Sequence, residues 1–151
     1  ETMDPKAVIE KSIPFAARTC VIVLAMEPWY VKLMMPLEPN LNHVGTMYAG
    51  ALFTLSELPG GAIFLTTFDA SRFYPIIKGM DIKYVKPATT DITIEVSLEV
   101  SEAERIQRVA EETGKADYGW ECELKDAHGQ VVCVTSNYYQ LRSIVPPSAG
   151  G

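Results

Sequence analysis

Two runs of apolar and β-branched residues, TCVIVLA from Thr19 and WYVKLMM from Trp29, stand on either side of Glu27-Pro28. Runs of that kind broken by a turn residue predict two adjacent strands. The segment PLEPNLNHVG follows, with prolines, asparagines and a glycine that mark a loop. From Thr46 to Phe68 the chain is then apolar on nearly every face, the pattern of a helix enclosed by other structure. Pro59 inside this helix cannot donate to the carbonyl of Leu55, which predicts a kink. The small residues Ala49, Gly50, Ala51, Gly60, Gly61 and Ala62 let other backbones come close, as a sheet wrapped tightly around the helix requires.

Beyond Tyr74-Pro75, the run IIKGMDIKYV, the turn KPATTD and the alternating ITIEVSLEV read as half-buried antiparallel strands. Ser101 followed by Glu104 has the spacing of a capping box, and Gly114 marks the end of the short surface helix it would open. The runs ADYGWECELK and QVVCVTSNYYQLR flank Asp126-Ala127-His128-Gly129, a hairpin loop with Gly129 in a left-handed position. The tail PPSAGG is expected to be disordered. Two strands, one long helix and four strands interrupted by a surface helix pack most economically as one antiparallel sheet curled around the long helix, an α+β class. The expected organisation is an N-terminal segment over 1–18, one domain over 19–142 and a tail over 143–151, with no internal repeat.

Composition narrows the reading. A chain of 151 residues that is 48% hydrophobic is of one-domain length with enough apolar residues for a core. The nearly uncharged stretch Leu41 to Thr67 is interrupted by Asn42, His43, Glu57 and Pro59, which suits a buried helix better than a membrane span. Glu1 to Lys11 lacks the basic start and apolar run of a signal peptide, and a cytoplasmic protein without membrane contact is expected. Cys20, Cys122 and Cys133 are too scattered for a disulfide framework and read as small apolar core residues. Two histidines, His43 and His128, give a metal site almost nothing to be made from, so no metal is expected. The net charge of −6 argues against nucleic acid as a partner.

Chemistry is concentrated in NHVGTMYAGALFTLSE, Asn42 to Glu57. This stretch resembles the helix-start motif of hotdog-fold acyl-CoA thioesterases of the phenylacetate-pathway and 4-hydroxybenzoyl-CoA kind, in which Asn or Gln precedes a short loop, His-Gly-Gly and an acid. Tyr48-Ala49-Gly50 stands where those proteins have His-Gly-Gly, as in the thioesterase-like branch of the superfamily, and the order of elements agrees over about Thr19 to Arg142. The resemblance implies a hotdog fold, thioester hydrolysis at a homodimer interface, possible pairing of dimers, and no cofactor beyond coenzyme A as part of the substrate. It carries the catalytic acid to Glu57, the Asn or Gln to Asn42, and the amide that binds the thioester carbonyl to Ala49. The family His falls on Tyr48, and Gly50 completes the motif.

The same residues make chemical sense on their own. Thioester hydrolysis needs a nucleophile or an activated water, together with donors aimed at the developing oxyanion. The first amides of a helix have no partner within it and sit at the positive end of its dipole, so those near Ala49 can serve. A carboxylate among Phe53, Leu55 and Leu58 has its pKa raised by desolvation, which suits Glu57 to general-base work; direct attack by Glu57 is the other route. Asn42 could orient the water. The structural alternatives are a Glu57 ion pair across a dimer and capping roles for Asn42 and His43. His43 with Glu57 is also the acid–base pairing of hotdog dehydratases, whose intervening prolines are missing, and a non-catalytic acyl-CoA-binding protein is a third reading. Among the basic residues Arg72, Lys78, Lys83 and Lys86, the candidates for substrate phosphates are Lys83 and Lys86, at most one of which would face the site on an unbroken strand. Met47, Phe53, Leu58, Phe64 and the Met34-Met35 pair are available as acyl lining. Ala49 and Glu57, eight residues apart, are separated by roughly 12 Å along a helix, so both can act on one carbonyl only if they come from different chains.

Overall fold

The computed structural model describes residues 4–145, so the tail from Pro146 onward lies outside the described residues. Its helices are α1 (Pro5–Lys11), α2 (Pro14–Arg18), α3 (Ala49–Thr67) and α4 (Val100–Thr113). The strands are β1 (Ile22–Glu27), β2 (Tyr30–Met35), β3 (Phe73–Tyr84), β4 (Ile92–Ser97), β5 (Lys115–Lys125) and β6 (Val131–Ser143). All six form one antiparallel sheet in the order β1-β2-β4-β5-β6-β3, which curls around α3 as the hotdog fold. The period-2 pattern decides which face is inside: Val31, Leu33 and Met35 of β2 and Ile92, Ile94 and Val96 of β4 are buried on alternate positions. They meet Leu55, Ala62 and Ile63 of α3 in the core.

Helix α3 runs through Pro59 as one element, and Pro59 is buried. It is not enclosed all round. Gly50, Phe53, Glu57, Gly61 and Leu65, spaced three or four residues apart, form with Thr54 a stripe that the rest of the chain leaves partly open. The opposite face is held tightly. A Cβ on Gly60 would lie 2.5 Å from the Tyr139 ring, so only glycine lets that ring pass beneath the helix. Tyr139 packs 4.7 Å from Trp120, and Asn137 Nδ2 donates to the Ser56 carbonyl at 2.9 Å and to Tyr139 Oη at 2.8 Å. The turn of α3 that carries Glu57 is thereby tied to β6.

Two local expectations are corrected. Helix α4 begins at Val100 behind Glu99, whose side chain makes no capping bond, so the Ser101–Glu104 box is not formed. Burial of Leu98 together with Ala103, Ile106 and Ala110 sets the entry of this helix, and tertiary packing overrides the local cap. Gly114 does end it, at φ +92° with its N–H bonded to the Ala110 carbonyl. Cys20 is not a core residue: it is exposed, at φ +62° in the turn after α2, whereas Cys133 is buried. In the hairpin loop, Gly129 has φ +79° as expected.

The N-terminal segment is ordered by tertiary contacts. Asp4 caps α1, a proline opens each of the two short helices, and Ile9 and Ala16 are buried. Glu10 Oε2 accepts the N–H of Val23 at 2.9 Å, which covers part of the β1 edge.

Candidate active site

The loop before α3 is closed by its own hydrogen bonds. Asn42 Oδ1 accepts the N–H groups of Val44 and Thr46, each at 3.0 Å, and Asn42 Nδ2 donates to Thr46 Oγ1 at 2.8 Å. One hydrogen of its carboxamide is left for another acceptor. Met47 N–H donates to the Ala88 carbonyl and Tyr48 N–H to that of Asn40, which fixes where the helix starts. Of the first four helical amides, those of Ala51 and Leu52 both donate to the Tyr48 carbonyl, whereas those of Ala49 and Gly50 have no acceptor among the described residues. Two free N–H groups at the positive end of the α3 dipole make a carbonyl- or anion-binding point. Tyr84 Oη donates to the Ala49 carbonyl at 3.2 Å. Since that carbonyl and the Gly50 N–H belong to one planar peptide, Tyr84 also steadies the free donor.

Around this point Asn42, Met47, Ala49, Tyr84 and Lys86 contribute to a cavity of about 350 Å³. Lys86 is engaged there: its ammonium reaches Asp126 Oδ2 at 3.3 Å and bonds Gln130. Lys83 lies outside this lining and is exposed, while Arg72 pairs with Glu111. His43 is exposed on the loop. Tyr48 is 60% exposed with its ring over Gly50, where a Cβ would lie 2.4 Å from Cε2. Its hydroxyl makes no hydrogen bond among the described residues. On the expectation that backbone amides bind a thioester carbonyl here, Tyr48→Phe should leave kcat/KM for such an ester within about twofold of wild type. A large loss on removing that oxygen alone would assign the phenol a catalytic role.

Glu57 occupies a second cavity, of about 400 Å³, where Ile13, Phe15, Gly50, Phe53 and Leu58 surround it and it is the one ionisable group among the described residues of the lining. Burial raises its pKa above the ordinary carboxylate range. Below the ordinary range Glu57 is protonated whether folded or unfolded, but as pH rises the unfolded chain ionises first, so the folded state loses stability until the raised folded pKa is passed. Glu57→Gln is expected to have the higher Tm at neutral pH, with the difference shrinking towards zero in acid. Equal melting curves at neutral pH would show that the carboxylate is not penalised by burial.

Ala49 lines the first cavity, whereas Gly50 borders the second together with Glu57, seven residues further along α3. Of the acyl-lining candidates, Met35, Met47 and Phe64 are buried, although Met47 reaches the first cavity; Met34 is half-buried, and Phe53 and Leu58 line the second. Ile13 and Phe15 are contributed by a segment to which sequence patterning assigned no role. Pro14 signals a helix start there, but nothing local indicates that Ile13 and Phe15 come to line a cavity with α3. A larger cavity, about 420 Å³, lies among Glu95, Glu121, Glu123 and Lys125, and offers neither free helix amides nor an isolated base. Among the described residues no three of His, Cys, Asp or Glu form a metal-binding group.

A family model described as a domain of unknown function, DUF4442, matches residues 6–139. No curated protein matches. Among solved structures, PA5026 of Pseudomonas aeruginosa, a protein of unknown function described as a probable thioesterase, is 47% identical, with 92% of this chain and 93% of that one aligned at a TM-score of 0.90. A Shewanella oneidensis protein provisionally described as a thioesterase is 20% identical over 90% of this chain and 93% of its own, at a TM-score of 0.72. The thioesterase HI1161 of Haemophilus influenzae shares the fold at 10% identity and a TM-score of 0.69, over 96% and 94% of the two chains.

Proposed function

The chain belongs to the DUF4442 family of hotdog-fold, thioesterase-like proteins, and on that premise we propose that it hydrolyses an acyl-CoA or acyl-carrier thioester at a site shared by two copies. One observation carries the reading: the free Ala49 and Gly50 amides open α3, and the half-buried Glu57 follows eight residues after Ala49, a backbone rise of about 12 Å along the helix. A carbonyl cannot be held by the former and attacked under the control of the latter within one chain, because each group must come within about 3 Å of the reacting centre. A twofold axis passing near Phe53, midway between Ala49 and Glu57, sets an antiparallel copy of the helix so that each Glu57 meets the partner's free amides. The open edge of β3, twelve residues long with Tyr74 and Ile77 exposed, is also a surface that a second copy would cover.

In this arrangement the thioester carbonyl accepts hydrogen bonds from Ala49 and Gly50 of one chain. Glu57 of the other takes the proton of a water that attacks the carbonyl carbon, and the coenzyme or carrier thiolate leaves and is protonated. The second carboxamide hydrogen of Asn42 is available to that water. The 47% identity to PA5026 supports hydrolase activity over a coenzyme-binding role alone. The direct test is release of free thiol from a panel of acyl-CoA esters. Turnover on at least one ester is expected; tight binding with no turnover on any would make the protein a binder instead.

A further inference from the structure

Resting on the thioester reading, we propose that the groove between the α1–α2 turn and α3 holds an aliphatic acyl chain, and that Phe15 and Ile13 set the length accepted. The segment that builds the groove is anchored and yet presents apolar groups outward. Ile9 and Ala16 are 3% and 1% exposed and fasten the two helices, whereas Ile13 and Phe15 are 47% and 58% exposed; across the groove Phe53, 44% exposed in one chain, stands beside the proposed twofold axis, where the partner helix closes the groove. The Arg18 guanidinium lies 5.7 Å from the Phe15 ring centroid and helps to hold that ring in place. Scattered exposed apolar side chains are ordinary, but these three line one cavity of about 400 Å³ with Glu57, a size within the range of small-molecule sites.

Direction decides the occupant. In the proposed reaction the carbonyl oxygen points to the partner's free amides, and the thiol side departs towards the cavity that Asn42 and Lys86 help to line. The remaining substituent on the reacting carbon is the acyl chain, and it has to leave along the surroundings of Glu57 in its own chain. Apart from Glu57 and Thr54 those surroundings are hydrocarbon or backbone, so they offer nothing to reward a hydroxylated or charged acyl group.

The test uses alkyl-CoA thioethers of graded length, which cannot be hydrolysed, titrated calorimetrically into the wild-type, Phe15→Ala and Phe15→Trp proteins. Affinity is expected to rise about fourfold per methylene until the groove is full and then to level off. Phe15→Ala should move the plateau to longer chains and Phe15→Trp to shorter ones. A plateau at the same length in all three proteins, or binding that never depends on chain length, overturns the assignment. So does a change from dimer to monomer in Phe15→Ala on sedimentation, which would make a second copy the occupant. Hydrolysis of acyl-CoA esters is measured in parallel. If no ester is turned over while the thioether plateau shifts as stated, the groove stands and the hydrolase reading fails.

Discussion

Glu57→Gln should lower kcat for thioester hydrolysis by at least about 100-fold, the usual contribution of a positioned general base, or roughly 2.7 kcal/mol of transition-state stabilisation. The substitution keeps the shape of the side chain and removes its ability to take a proton. Glu57 is suited to this work because it is the one ionisable group in an apolar cavity, and burial moves its pKa upward from the ordinary carboxylate range. The acid limb of the wild-type kcat/KM profile is expected to be displaced in the same direction, since only the ionised form acts as base. The loss should appear in kcat with the fold intact, given that Glu57 makes no hydrogen bond or ion pair within the described residues. Retention of more than about a tenth of the wild-type rate would contradict a base or nucleophile at this position.

Ala49→Pro should be nearly as damaging and should be rescued by the Glu57→Gln protein, although neither is active alone. Proline suits the first helical position, where its missing N–H costs no intrahelical bond. The preceding residue is already compatible, with Tyr48 at φ −59° and ψ 137°, the extended conformation that a following proline requires. The variant therefore removes one proposed oxyanion donor from an otherwise intact helix, with an expected effect of about 10²–10³ in rate. It is a cleaner probe than a change at Asn42, whose carboxamide also closes the loop through Val44 and Thr46. When the two inactive proteins are unfolded together and refolded at equal amounts, random pairing makes half the dimers mixed. Each mixed dimer has one site with both functional groups and one with neither, so about a quarter of wild-type activity should return. Mixed dimers that form and stay inactive would show that the amides and Glu57 do not share a site across chains.

Much of the architecture could be read from the chain because it depends on local periodicity. Alternation in ITIEVS sets one face of β4 inward, the apolar run from Ala49 specifies α3, and Gly114 and Gly129 take the left-handed positions that their turns require. The motif from Asn42 to Glu57 could be read for a similar reason, since free amides at a helix start and a carboxylate two turns on are both properties of one continuous segment. Patterning failed where a choice depended on distant partners. Ser101 and Glu104 had the spacing of a cap, but the burial of Leu98, Ala103 and Ile106 against the sheet moved the helix start to Val100. Lys86 looked like a free cation until the fold brought Asp126 and Gln130 of the β5–β6 loop beside it.

The largest difference lies in the N-terminal segment. Its sequence, with two prolines and few apolar residues in regular spacing, says little about where it goes. Short helices gain their stability from packing rather than propensity, and α1 and α2 acquire theirs by burying Ile9 and Ala16 near α3 and β1. The sequence alone determined the sheet, the core helix and the placing of amide and carboxylate along it. Tertiary structure alone decided that the stripe bearing Glu57 is left open on one side and walled by Ile13 and Phe15 on the other, because that contact joins segments some forty residues apart in the chain, which no local pattern encodes.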